Sequence, residues 1–131
     1  MPSFSQRSLK RLETCDNKLQ FLFKEVVKHF DCTVLTGHRG KKEQDQKFEE
    51  GLSKVKFPNS RHNILPSMAV DVTPYPIDFY DRERITYFAG YVMGIATMMG
   101  IKLRWGGDFD MDTEVKDNTF DDLIHFEVYP D

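Results

Sequence analysis

Apolar residues recur at helical spacing in two stretches of the chain. Ile85, Phe88, Ala89, Val92, Ile95, Ala96 and Met99 follow the i, i+3, i+4, i+7 rule, which predicts a helix over 81–99 with one continuously apolar face. Gly100 supplies its stop, and its methionines read as core filler. Leu19, Leu22, Phe23, Val26 and Phe30 repeat the pattern over about 16–30. His29, near the end of that helix, reads as a solvated group or a partner of the helix dipole, not a ligand. The run 41–52 is densely charged and reads as an exposed helix ending near Gly51.

Between these helices the period shortens to that of strands. Cys-Thr-Val-Leu-Thr at 32–36 is the first, and others are expected at about 69–73, 101–105 and 123–128. The last two are separated by a polar loop. No internal repeat, linker or low-complexity tract interrupts the chain. Partial segregation of helices from strands predicts an α+β fold: a small, mainly antiparallel sheet packed against helices. At 131 residues, 1–131 is most simply a single domain.

Composition narrows the classes of function. The chain is 40% hydrophobic and 13% aromatic, which supports a packed core over disorder. A net charge of -3, with both signs intermixed, offers no electrostatic case for nucleic acid as partner. Ile85 to Ile101 carries no charged side chain, but it is short for a membrane span and holds three glycines. A buried helix is the better reading, and no membrane insertion is expected. The amino terminus is polar and charged and shows no secretory signal. Cys15 and Cys32 lack metal-type spacing and read as reduced thiols of a cytoplasmically made protein.

Candidate chemistry is concentrated in three strings: S-R-H-N-I-L-P-S-M-A-V-D at 60–71, R-W-G-G-D at 104–108 and D-L-I-H-F-E at 122–127. They supply His62, Asp71 and His125 as a three-ligand set suited to catalytic zinc, whose fourth position is left to water. Asp122, three residues before His125, is a carboxylate able to act as general base on that water. Strand parity supports the grouping. Asp71 points away from Val70 and Val72, while His125 and Glu127 share the face opposite Ile124, Phe126 and Val128. His62 would arrive from the preceding loop, where Pro58, Asn59, Asn63 and Pro66 disfavour regular structure. Asp122 has the wrong parity for His125's face and is expected in a turn or bulge before the strand. The zinc site would then lie on the open face of the sheet, and the chain reads as a zinc hydrolase.

A second cluster, Asp108, Asp110, Asp112 and Glu114, places oxygen ligands at alternate positions, as calcium loops do. Thr113 and Thr119 stand where that motif needs glycine and glutamate, so a solvated loop is the reading here.

Taken together, T-G-H-R-G-K-K-E-Q from Thr36, S-R-H…A-V-D-V-T-P-Y-P, G-I-K-L-R-W-G-G-D and D-D-L-I-H-F-E resemble the zinc D-alanyl-D-alanine carboxypeptidase family. Within it, the likeness is to the small phage endolysins that act as peptidoglycan L-alanyl-D-glutamate peptidases. It runs from about Thr36 to Glu127. The resemblance implies zinc ligands His62, Asp71 and His125, Asp122 as catalytic base, and Arg39 as the cation facing the substrate carbonyl or carboxylate. It places Ser60 and Gln44 around the substrate, and makes Trp105, Gly106, Gly107 and Asp108 an architectural wall. Glu127 has two readings, as a residue orienting a ligand histidine or as an exposed strand glutamate.

The activity implied is metal-assisted hydrolysis of an amide bond in the peptidoglycan stem peptide, with L-Ala-D-Glu the expected bond. D-Ala-D-Ala carboxypeptidase or dipeptidase activity, and a non-catalytic zinc-containing binding module on the same scaffold, are the alternatives. A monomer is expected, made in the cytoplasm and acting on the cell wall after release by another factor.

Overall fold

The computed structural model describes residues 2–113 and 122–129. Two helices form the main packing layer. Helix α2 (Asn17–His29) is started by Asp16, whose carboxylate accepts from the Lys18 amide at 2.9 Å. Its Leu19, Leu22, Phe23 and Val26 are fully buried. Helix α4 (Arg82–Met98) is capped in the same way by Asp81 and ends at Gly100, whose φ of +71° favours a residue without a Cβ. Helix α1 (Gln6–Leu12) precedes both and packs on the first strand; its seven residues are too few to show a helical period in the sequence. Helix α3 (Lys41–Glu49) is largely exposed, as its charge predicts, and buries only Gln44.

The strands are β1 (Cys32–Thr36), β2 (Ala69–Pro74), β3 (Leu103–Trp105) and β4 (His125–Val128). They form an antiparallel sheet of order β1-β2-β4-β3. Register slips by one residue at Leu35, between the Val34–Val72 and Thr36–Asp71 pairs. Cys32, Val34, Val70, Val72, Phe126 and Val128 face the helices. Phe126 is the keystone: its ring meets Phe23 at 5.4 Å and Phe88 at 6.3 Å, both edge-on. The opposite face of the sheet borders the cleft and carries Asp71, His125, Glu127 and Arg104.

Three sequence expectations need correction. Only Met93 of the α4 methionines packs against the core. Met98, the last residue of the helix, and Met99, its C-cap, are 89% and 42% exposed. The stretch around His62 is not wholly irregular: Arg61–Asn63 forms one 3-10 turn, closed by a reciprocal capping box between Ser60 and Asn63. Strand β4 starts at His125 and not at 123, since residues 123 and 124 are used in a turn. Cys15 and Cys32 are free and buried. Among the described residues no helix is long and apolar enough to cross a membrane.

Candidate active site

His62, Asp71 and His125 converge from three different elements. Strand alternation points Asp71 of β2 and His125 of β4 at the open face, and the two residues are direct cross-strand partners. His62 is delivered by the 3-10 turn, which Ser60 starts by accepting the His62 amide on its hydroxyl. One ligand atom from each residue lies within 4.8 Å of the others, so the three could hold a metal ion.

The hydrogen bonds behind the rings decide which atoms face inward. His62 Nδ1 lies 2.8 Å from the Gly37 carbonyl and must donate to it, leaving Nε2 as the lone-pair nitrogen, 3.3 Å from Asp71 Oδ1. His125 is turned the other way. Its Nε2 lies 2.7 Å from Glu127 Oε1, so Nδ1 is the inward nitrogen, 3.4 Å from the same Asp71 oxygen. Asp71 Oδ1 is buried and finds no hydrogen-bond partner among the described residues. Two ring lone pairs and one carboxylate oxygen facing one another repel unless a positive charge sits among them. The donor set and its polarity therefore fit a divalent cation with nitrogen and oxygen ligands.

Protonation in the absence of a cation follows the same logic. Burial disfavours a charged His125 ring, yet the carboxylates of Asp71 and Glu127 on either side of it raise its pKa to about 9. Burial would raise Asp71, but the two histidines beside it hold its carboxyl far below the usual range. Burial also works against ionised Glu127, and His125 and Arg104 outweigh it, bringing the group to about 2. A metal ion would take the place of the ring proton.

Asp122 sits at the mouth of this group, with Oδ2 3.9 Å from His125 Nδ1. Its carboxyl is raised above the ordinary aspartate range by burial and then by the Asp71 charge, against the pull of His125, His62 and Arg39. Its position is built by the R-W-G-G string. Asp122 N donates to the Gly106 carbonyl at 2.8 Å, Gly106 N to the His125 carbonyl at 2.8 Å, and Trp105 Nε1 to the Leu123 carbonyl at 2.8 Å. A Cβ on Gly106 would collide with the Asp122 carbonyl, and one on Gly107 with the Trp105 ring. The wall expected from 105–108 thus also aims the carboxylate.

Arg39 is nearly buried and reaches Asp71 Oδ2 with Nη2 at 3.5 Å. Its Nη1 donates to Gln44 Oε1 at 3.0 Å, while Asn63 Nδ2 holds its carbonyl at 2.9 Å. Gln44 requires a correction: it is fully buried, with Oε1 on Arg39 and Asn63 and Nε2 on Ser53 and Val55. Every polar atom of its side chain is already bonded within the protein, so none is left to meet a substrate directly. Ser60, by contrast, lines the cleft. That cleft is about 700 Å³ and brings Arg39, Ser60, His62, Asp71, Asp122 and His125 onto one surface.

The contacts that Glu127 and Gly37 make behind the ligand histidines were not visible from residue type alone. Glu127 is buried, which settles its two readings in favour of orienting His125. Its second oxygen takes Arg61 Nε at 2.8 Å and Arg104 Nη2 at 2.6 Å. Arg104 and Glu127 are cross-strand neighbours, so correct pairing of β3 with β4 would have revealed that bond. Gly37 carries the carbonyl that sets the His62 tautomer, and a Cβ there would strike Arg11 and Thr14. In the acidic loop, carboxylate oxygens of Asp108, Asp110 and Asp112 lie within 4.8 Å of one another and are largely exposed. Glu114 and Thr119, the other positions of that comparison, lie outside the described residues.

The model of the phage L-alanyl-D-glutamate peptidase family matches residues 2–129. Among solved structures, the crystal structure of the Serratia marcescens L-Ala D-Glu endopeptidase ChiX superimposes with a TM-score of 0.76. The match covers 98% of this chain and 91% of that one at 23% identity, a likeness of fold. No curated protein matches the chain.

Proposed function

The chain belongs to the phage L-alanyl-D-glutamate peptidase family, and we propose that it is a zinc-dependent endopeptidase that cuts the L-Ala-D-Glu bond of the peptidoglycan stem peptide. One observation carries the metal half of this reading. The inward lone pairs of His62 and His125 and the unpartnered Asp71 oxygen converge where Asp122 also reaches. Zinc held by those three residues would supply Lewis acidity, making a water nucleophilic near neutral pH and polarising the scissile carbonyl.

The remaining work falls to the chain itself. Asp122 accepts the proton of the attacking water on a carboxylate oxygen and returns it to the leaving amine of D-Glu. Arg39, fixed by Gln44, presents its guanidinium to the carbonyl oxygen as charge develops there, a role worth about 3 kcal/mol for a well-placed donor. Glu127 keeps the His125 ring in the tautomer that leaves Nδ1 inward.

Asp122 and Arg39 in the same cleft as the ligand set favour catalysis over a silent binding module. A second hollow lies at the β1 edge of the sheet, and Leu35 lines both it and the cleft. Room beside the cleft suits an endopeptidase, which must accommodate chain on both sides of the bond.

The deciding experiment is digestion of purified peptidoglycan, followed by mass spectrometry of the fragments and elemental analysis of the protein. One zinc per chain and new D-Glu amino termini, abolished by a chelator and restored by zinc, are expected. Free D-Ala without those termini would reassign the bond, and absence of a stoichiometric transition metal would remove the metallopeptidase reading.

A further inference from the structure

We propose that the hollow at the β1 edge, walled by Tyr75 and Ile77, is a saccharide subsite that receives the pyranose ring carrying the stem peptide. This rests on the peptidase reading above and specifies the substrate: glycan-linked stem peptides in preference to free ones.

The first support is the way the segment after β2 is displayed. Residues 75–80 are all exposed, and four of them are large and apolar: Tyr75 at 54%, Ile77, Phe79 and Tyr80. A loose loop of such residues would fold inward to hide them, and this one is held outward by polar bonds. Arg84 donates to the Tyr75 and Pro76 carbonyls at 2.8 and 3.3 Å, Tyr75 N donates to the Asp31 carbonyl at 3.0 Å, and Asp78 accepts from Tyr80 N at 3.0 Å. The backbone that displays this apolar surface is therefore fixed.

The second support is that it adjoins the catalytic cleft. Leu35, the residue at the register slip between β1 and β2, lines both the cleft and the hollow, and Phe79 lines the cleft. Around Tyr75 and Ile77 the hollow is lined by Arg7, Asp31 and Thr33. An apolar wall beside donors and acceptors matches a sugar, whose C–H face stacks on aromatic surface while its hydroxyl and acetamido groups hydrogen-bond.

The third support is reach. In peptidoglycan the L-Ala nitrogen is acylated by a lactyl group ether-linked to the sugar. Only L-Ala and that lactyl unit separate the scissile carbonyl from the pyranose, about 7 Å at the length of two extended chain units. An enzyme cutting after L-Ala cannot keep the sugar out of its neighbourhood, and Tyr75, which shares the Asp71 face of β2 four residues further on, offers an apolar wall on one side of the cleft.

The test compares kcat/KM for N-acetylmuramyl-L-Ala-D-Glu-L-Lys with that for N-acetyl-L-Ala-D-Glu-L-Lys, on the zinc-loaded protein. The sugar-bearing substrate is expected to be favoured by about tenfold or more. In Tyr75→Ala and Ile77→Ser that ratio should collapse toward one, while Tyr75→Phe, which keeps the ring, should retain it. Because the ratio is taken within each variant, any loss of folded protein cancels. A wild-type ratio near one overturns the subsite and leaves the peptidase reading standing. A high ratio that neither Tyr75→Ala nor Ile77→Ser reduces overturns this location for it. Cleavage of neither substrate overturns the peptidase reading and the subsite with it.

Discussion

Glu127 Oε1 stands 2.7 Å from His125 Nε2, two residues along the same strand and on the same face. The contact fixes the ring nitrogen that carries the proton, and so the one that faces Asp71. Carboxylates behind ligand histidines typically contribute 10–100-fold to metal affinity. Glu127→Gln, which removes the charge and keeps the shape, is expected to weaken zinc binding on that scale, measured by competition with a chromophoric chelator. Unchanged affinity would mean that the Glu127 charge is not what prepares His125.

Asp122 is separable from the ligands by the same kind of measurement. Asp122→Asn is nearly isosteric and is expected to keep both fold and zinc while hydrolysis falls by about 100-fold or more. Loss of zinc in that variant would make Asp122 a ligand instead of a base. Gly106→Ala probes the support of that residue without touching it, since the new Cβ overlaps the Asp122 carbonyl. It should also lose activity with zinc retained; wild-type turnover would show that the turn tolerates displacement.

These two tests divide residues that the sequence reveals unequally. The alternation in A-V-D-V and I-H-F-E is enough to put Asp71, His125 and Glu127 on the face opposite the core, because a strand's period of two leaves little freedom. The odd parity of Asp122 likewise implies the turn in which it lies. The destiny of Gln44 was not legible. It lies on a charged helix with no apolar stripe, and its burial depends on Arg39, Ser53 and Val55 folding around it. The Arg61 and Arg104 contacts to Glu127 were hidden for the same reason: they arise from pairing between distant segments, not from a local period.

Gln44 therefore yields its own prediction. Gln44→Leu preserves volume but leaves Arg39 Nη1 without its acceptor in a buried setting and removes one of the two acceptors of Asn63 Nδ2. A stability loss of about 1–3 kcal/mol is expected by chemical denaturation, together with a lower kcat/KM at full zinc occupancy. If only stability falls, Gln44 holds the loop after α3 and does not position Arg39 for the reaction.

The two buried thiols carry a pH dependence whose direction is fixed by their surroundings. Burial, opposed for Cys15 by a hydrogen bond with Thr14, pushes Cys15 up to about 12; burial followed by the Asp31 charge does the same for Cys32. The folded state thus favours the protonated thiols more than the unfolded chain does, where the ordinary value is 9.0. Their contribution to stability is present in full below pH 9 and is lost progressively as pH rises from 9 toward 12. Iodoacetamide at pH 8 is expected to leave both cysteines of the native protein unmodified and to label both in denaturant. The stability difference between wild type and a Cys15→Ala, Cys32→Ala variant, read from denaturant midpoints, should move against wild type as pH rises from 8 to 10. Rapid alkylation of the native protein, or a difference that stays constant over that interval, would show that the thiols are not held in the protonated form by the fold.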